Sequence, residues 1–203
     1  MPIADPTPST AGAPVLSHRA IGQKFKGVTC LMPEQRDRLK YNSETQTSSP
    51  MLKPDGRPKQ ELVVTMMTIA STMPVGRIDE QRTPAEGEVV RVILKGKSFG
   101  DWIDASKELG QKPGVGYIVE IATTVAQAYD ETGHPQGGEL TTQAEADAVP
   151  RGRSLGYYGP LTVRVPEGAD EVAWDTKACQ FYNDANRPAV PEAEPVAAEE
   201  DPF

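Results

Sequence analysis

Apolar and polar residues alternate along several segments of this chain, which is the pattern of strands with one buried face. The predicted strands cover residues 22–31, 60–69, 88–95, 115–125 and 155–165. In the third of them, Val90, Val92 and Leu94 occupy alternate positions and are expected to face a core. The fifth contains the pair Gly159-Pro160, where a break in the strand is expected.

A helical spacing follows the third strand. Phe99, Trp102 and Ile103 lie at positions i, i+3 and i+4, which predicts a helix with an apolar face. Ser98 is the predicted N-cap, and Gly110 is placed to end the helix. We therefore expect Trp102 in the core, and also Phe25, which alternates with lysines in the first strand.

Residues 171–184 have a weaker pattern, and they predict a short strand or a packed extension. Trp174 lies there among acidic residues and is expected to cover an open end of the sheet structure.

The order strand, strand, strand, helix, strand, strand is that of an OB-fold, a five-stranded barrel with its helix between the third and fourth strands. The predicted fold class is therefore all-β with one helix, in an OB-fold-like barrel. Other small β-barrels and some α+β sheets share this order. We expect a disordered arm at 1–18, an OB-like domain at 19–185 and a disordered acidic tail at 186–203, because both ends are rich in Pro and Ala.

Residue types that carry catalysis or bind metals are sparse. Cys30 and Cys179 are far apart and form no C-x-x-C pair, so both are expected as small buried side chains. His18 and His134 have no partner visible in the sequence, and no phosphate-binding glycine motif occurs. We therefore predict a protein that is not an enzyme and that has no metal and no cofactor.

The chain contains no apolar run of the length that crosses a membrane, and its first residues lack the features of a signal peptide. The expected location is the cytoplasm, with no membrane partner.

Charge is unevenly distributed. The formal net charge is −8, and residues 188–203 contain five carboxylates with no Lys or Arg, so the remainder carries −3. Residues 24–112 carry fifteen Lys or Arg against twelve Asp or Glu, which is a local excess of three positive charges. An acidic total does not exclude nucleic-acid binding when basic side chains share one face.

Two long loops, 33–59 and 130–153, contain or adjoin basic and aromatic residues. In an OB-fold these loops flank the nucleic-acid groove. Cations can follow phosphates while rings stack on bases, so the mixture favours single strands. The predicted nucleic-acid-binding residues are Lys24, Lys26, Arg36, Arg38, Lys40, Tyr41, Arg91, Lys95, Lys97, Arg151, Arg153, Tyr157 and Tyr158.

The sequence finishes with Glu199, Glu200, Asp201, Pro202 and Phe203. An aromatic ring beside carboxylates can bind a pocket that is apolar with a basic rim. This ending resembles the acidic tips of bacterial and bacteriophage single-stranded-DNA-binding proteins. Bacterial members often have a Gly/Gln-rich linker that is absent here, so their tetrameric assembly is not implied, and a homo-oligomer is left open.

The resemblance implies a sequence-independent single-stranded-DNA-binding protein of phage DNA replication or recombination. Its partners would be single-stranded DNA and, through the tail, replication or recombination proteins. The alternative is a protein-interaction or assembly module with a β-barrel core that does not bind nucleic acid. A third reading is an accessory protein that prefers duplex DNA or RNA.

Overall fold

The computed structural model describes residues 12–42, 45–76 and 81–186. These residues form eleven strands and three helices. The strands are β1 Lys24–Thr29, β2 Glu34–Asp37, β3 Leu39–Asn42, β4 Thr47–Pro50, β5 Gln60–Ser71, β6 Val89–Leu94, β7 Ile118–Ala122, β8 Val125–Tyr129, β9 Pro135–Leu140, β10 Ser154–Tyr158 and β11 Leu161–Arg164. The helices are α1 Lys97–Glu108, α2 Gln143–Asp147 and α3 Gly168–Ala185.

The largest sheet is antiparallel and curls into a half-barrel. Its strands follow the order β11-β7-β1-β5, with β6 on the other edge of β5. The long β5 also pairs with β2 through residues 60–63, before its pairing with β1 begins at Met66. The predicted strands at 22–31, 60–69 and 88–95 therefore correspond to β1, β5 and β6.

Two antiparallel segments, β7–β8 and β10–β11, pair along their length and bend from one sheet into another. β7 and β11 pair in the large sheet, whereas β8 and β10 pair in a three-stranded sheet with β9. At the bend, the amide of Thr124 donates to the Tyr158 carbonyl at 3.1 Å, and the amide of Ala122 donates to the Pro160 carbonyl at 3.1 Å. The strand break expected at Gly159-Pro160 is confirmed.

One face of the large sheet holds the main core. Val90, Val92 and Leu94 are buried there as predicted, because alternate residues of a strand face one side. Trp102 on α1 and Phe25 on β1 are also buried, which confirms their predicted core positions.

The opposite face is covered by α3. Trp174, Ala178 and Phe181 pack with Val28 and Cys30 in a second apolar cluster. The prediction of a strand at 171–184 is wrong, because these residues belong to the packed helix α3. The predicted position of Trp174 at an open end is also wrong, because it lies on the face of the sheet. The spacing i, i+4, i+7 of the three packing residues of α3 was the helical signal.

The prediction of a single helix is wrong, since α2 and α3 are also helical. α2 begins with a capping box, in which the Thr142 side chain accepts from the Glu145 amide and Glu145 bonds back to the Thr142 amide. The loops predicted at 33–59 and 130–153 also contain structure, namely β2, β3 and β4 in the first and β9 and α2 in the second.

The start of α1 differs by two residues from its prediction. Gly96 is the N-cap, with a positive φ of 52°, and Ser98 lies inside the helix. The Ser98 hydroxyl donates to the Lys95 carbonyl at 3.0 Å, so it holds the turn that precedes the helix.

The predicted arm at 1–18 ends earlier than expected. Leu16 is only 7% exposed and belongs to the main core. The Leu16 amide donates to the Arg91 carbonyl at 2.8 Å, and the Arg91 amide donates to the Pro14 carbonyl at 2.9 Å. Residues 14–16 therefore pack against β6, while residues 1–11 lie outside the described part of the chain, as do 187–203.

The two cysteines have different environments. Cys30 is buried as predicted, and burial raises the pKa of its thiol to about 12. Cys179 is exposed on α3, so the prediction of a buried side chain is wrong there.

No helix within the described ranges is long and apolar enough to cross a membrane.

Candidate nucleic-acid interface

A cleft of about 420 Å³ runs along the edge of β6, between that strand and β10. Four residues predicted from the sequence line it, namely Lys95, Lys97, Tyr157 and Tyr158. The remaining lining residues are Leu16, His18, Val92, Ile93, Leu94, Ser98, Ile121, Tyr129 and Gly159.

The cleft lies where the N-terminal segment leaves the edge of β6. Arg91 bonds through its backbone to residues 14 and 16, but the next amide, of Ser17, donates to Pro74 at 3.0 Å. Backbone groups two residues apart on a strand point to the same edge, so the N–H and C=O of Ile93 face the cleft. This stretch of β6 is therefore an uncovered sheet edge.

Aromatic residues form the opposite side. Tyr129 pairs in register with Ser154, and Tyr158 pairs with Val125, so both tyrosines lie on one face of the β8–β10 pair. A Cβ atom on Gly156, which lies between them, would meet the Tyr129 ring at 2.9 Å, so that ring covers the glycine. Tyr129 was not predicted as a site residue, although the pairing register of its strand would have placed it beside Tyr158.

A hydrogen bond fixes the end of the Tyr158 side chain. Its hydroxyl donates to Oε1 of Glu139 at 2.7 Å. Burial and this carboxylate raise the pKa of Tyr158 to about 12. The phenol therefore stays neutral at physiological pH, and its ring orientation is fixed by the hydrogen bond.

Beside the cleft, one carboxylate that does not line it contacts two of the predicted cations. Arg36 pairs in register with Glu61 across β2 and β5, and its Nε lies 2.9 Å from Oε1. Lys95 Nζ lies 3.3 Å from Oε2 of the same Glu61. Arg36, Glu61 and Lys95 therefore form one row, with two cations around one buried carboxylate. In the described part of the chain, Lys97 has no carboxylate at ion-pair distance.

His18 also reaches the cleft, and sequence analysis missed it as a site residue. Its Nδ1 lies 2.8 Å from the Thr123 hydroxyl. Burial lowers the pKa of this imidazole below its ordinary value, so the ring is neutral at physiological pH.

Nine of the predicted site residues do not line the cleft, and three of these lie on β1 and β6. Lys26 contacts Glu171 at 2.6 Å and Glu120 at 3.7 Å on the face that α3 covers, so its charge is matched there. Lys24 lines a separate hollow of about 570 Å³ at the start of β1. Arg91 donates from Nε to the Ala13 carbonyl at 2.9 Å and holds the N-terminal segment.

The β3–β4 ribbon separates two residues that the sequence placed together. Lys40 pairs with Ser49 and Tyr41 pairs with Ser48, so their side chains point to opposite faces of the ribbon. Tyr41 is 62% exposed. Arg38 is partly buried where β2 ends, and its amide donates to the Lys59 carbonyl at 2.7 Å.

The remaining predicted residues lie outside the cleft. Arg151 and Arg153 are exposed in the loop between α2 and β10. The predicted partner-binding residues Glu199, Glu200, Asp201, Pro202 and Phe203 lie outside the described residues.

No group of three or more His, Cys, Asp or Glu residues suited to a metal ion occurs within 12–42, 45–76 and 81–186. Comparison with known proteins finds no matching family model, and no match among curated proteins or solved structures.

Proposed function

We propose that this protein binds single-stranded DNA without sequence preference, through the cleft between β6 and β10. The observation that carries the proposal is the juxtaposition of Lys95 and Lys97 with Tyr129, Tyr157 and Tyr158 around one cleft. The lysines would neutralise phosphates, and the rings of Tyr129 and Tyr158, which share one face of the β8–β10 pair, offer flat faces for unpaired bases. Stacking of this kind contributes roughly 1–3 kcal/mol per base and accepts every base.

The strand pairings support an OB-type arrangement for the proposed core. β1 pairs with both β5 and β7, β5 pairs with β6, and β7 pairs with β11. α1 follows β6 and precedes β7, which is the position of the helix in the OB-fold. In this interpretation β2, β3, β4, β9 and α2 are additions within the two long connections.

The acidic residues 199–203 extend the proposal to a role in phage DNA replication or recombination. Coated single strands must be passed to other enzymes, and an acidic segment with an aromatic residue offers those enzymes a compact ligand. This part of the proposal depends on the resemblance of the ending and on the five carboxylates in 188–203.

A protein-assembly module is the second candidate, and one observation favours it. Met32, Leu39, Tyr41 and Leu52 are large apolar residues that are more than half exposed, and all belong to the segment 32–52. Exposed apolar side chains that cluster often mark a protein-protein contact.

Fluorescence anisotropy with a labelled oligo-dT distinguishes the two candidates. We expect binding whose affinity falls with salt, because phosphate neutralisation releases counterions. Lys97→Gln should weaken binding and lower the slope of log K against log salt by about 0.7, the contribution of one phosphate on a single strand.

Lys177→Gln is the matched control, since Lys177 lies over the Trp174 ring on α3 and does not line the cleft. It removes the same charge away from the cleft and should leave the slope unchanged. Absence of oligo-dT binding at low salt would overturn the proposal and favour the assembly module.

A further inference from the structure

A second groove, of about 880 Å³, lies between α1 and the segment around β2. Met32, Phe99 and Ile103 supply apolar surface, and Lys53, Lys107 and Lys112 also line it. α1 contributes Phe99, Trp102 and Ile103 to this groove, whereas Lys97 and Ser98 at its start line the cleft described above. The two sites are therefore adjacent but built from different residues.

The apolar residues of this groove are unusually accessible. Met32 is 59% exposed and Ile103 is 43% exposed, while Trp102 beneath them is 5% exposed. An apolar floor that remains open to water gains stability when another apolar group covers it.

The lysines give the groove a positive rim. Lys107 contacts Asp104 at 2.7 Å, but in the part of the chain that the structure describes Lys53 and Lys112 have no carboxylate at ion-pair distance. An occupant that combines an apolar anchor with carboxylates would satisfy both features of the groove.

We propose that this groove binds residues 192–203 of the same chain. That segment contains five carboxylates, no Lys or Arg, and the aromatic Phe203. The ring would cover Met32 and Ile103, and the carboxylates would approach the lysines. The inference needs no nucleic acid and does not depend on the proposed DNA-binding function.

The course of α3 brings the segment within reach. Near its start, Glu171 contacts Lys26 of β1, and seven residues later Ala178 packs with Val28 and Cys30. The helix therefore runs along β1 toward Cys30, and Met32 follows two residues later. Residues 186–191 can span at most about 20 Å, and residues 192–203 can extend roughly twice as far again.

The test uses a chain that ends at residue 191 and a labelled synthetic peptide of residues 192–203. We expect the peptide to bind this shortened chain by fluorescence anisotropy. Ile103→Glu in the shortened chain should weaken binding by roughly tenfold, because it removes apolar contact and adds a repelling charge.

Val172→Glu is the matched control, because Val172 is a 50% exposed apolar residue on α3 that does not line the groove. It should bind the peptide as the unsubstituted shortened chain does. A peptide with Phe203→Ala should bind more weakly, and thermal unfolding of each protein variant checks that folding is intact.

Competition tests whether the chain occupies its own groove. The full-length protein should bind the added peptide more weakly than the shortened chain, since its own segment competes. Equal binding by the two chains, or equal weakening by Ile103→Glu and Val172→Glu, would overturn the proposal. Self-association of the full chain that Ile103→Glu abolishes would also overturn it, because the segment would then occupy a second copy.

Discussion

At the scale of single residues, Gly159 lies between β10 and β11 and determines how closely the bend there can approach the bend between β7 and β8. A Cβ atom at this position would lie 2.1 Å from the Ala122 carbonyl oxygen and 2.8 Å from the Thr124 nitrogen. Both are backbone atoms, which cannot move away as the end of a side chain can. The close approach lets β10 pass into β11 while the paired segments cross from one sheet to the other.

Gly159→Ala should therefore lower the free energy of unfolding by about 1–3 kcal/mol, the usual cost of forcing atoms into a packed region. Urea unfolding measures the change. Gly138→Ala is the control, because a Cβ at Gly138 meets no atom within 4 Å and its φ is not positive. The control should stay within about 0.5 kcal/mol of the parent protein, and similar losses for both variants would contradict the role given to Gly159.

At the scale of elements, α3 is attached to the sheet by its apolar cluster and by one carboxylate. Glu171 receives two bonds from Arg164, at 2.7 and 2.8 Å, and Lys26 Nζ lies 2.6 Å from it. The Glu167 amide also donates to it at 2.8 Å. Arg164 first, and then Lys26, holds the pKa of Glu171 well below its ordinary value of 4.5.

This shift sets the direction of a pH effect. The folded chain binds the Glu171 proton more weakly than the unfolded chain does, so the stabilisation is complete above pH 4.5 and is lost as the pH falls below it. Glu171→Gln should cost about 1–3 kcal/mol at neutral pH, since it weakens charge-assisted bonds. It should also flatten the fall in stability below pH 4.5.

Asp170→Asn is the control for this effect, because Asp170 is an exposed carboxylate of the same helical turn. Urea unfolding at several pH values compares the two variants. If Glu171→Gln keeps the acid dependence of the parent protein, the pairing with Arg164 does not stabilise α3.

The sequence predicted the strands and the helix in which the spacing of apolar residues marks a single buried face. β1, β5, β6 and α1 each place apolar residues toward the main core. α3 was missed because its buried face is narrow, with few apolar residues among many polar ones. β2, β3 and β4 were missed because nearly all their residues are exposed, so alternation gave no signal.

The candidate site was predicted only in part, for a related reason. Lys95, Lys97, Tyr157 and Tyr158 come from two segments about sixty residues apart, and their meeting depends on strand pairing. His18 and Tyr129 show no local pattern that marks them as site residues. Lys26 was assigned to nucleic acid because a sequence does not show that α3 returns to place Glu171 beside it.

At the scale of the whole molecule, most of the net negative charge belongs to the last residues of the chain. Residues 192–203 hold five of the carboxylates, so their removal changes the formal net charge from −8 to −3. Negative charges on the protein repel the phosphates of DNA over about 10 Å at 0.1 M salt and over shorter distances at higher salt.

A chain that ends at residue 191 should therefore bind oligo-dT more tightly than the full chain at low salt, and the two affinities should converge as salt rises. Anisotropy titrations of both chains at matched salt concentrations measure this. Replacing the five carboxylates with their amides in the full chain should reproduce the gain without shortening the protein. Unchanged affinity at low salt would show that the acidic segment does not oppose DNA binding.

The position of β1 has a consequence for synthesis of the protein. β1 is hydrogen-bonded to β5 on one side and to β7 on the other, and β7 lies about ninety residues further along the chain. While the chain emerges from the ribosome, the β7 side of β1 stays uncovered until residue 122 has been made. A nascent chain halted before that residue presents an unpaired edge of β1, and such an edge can pair with a strand of another chain.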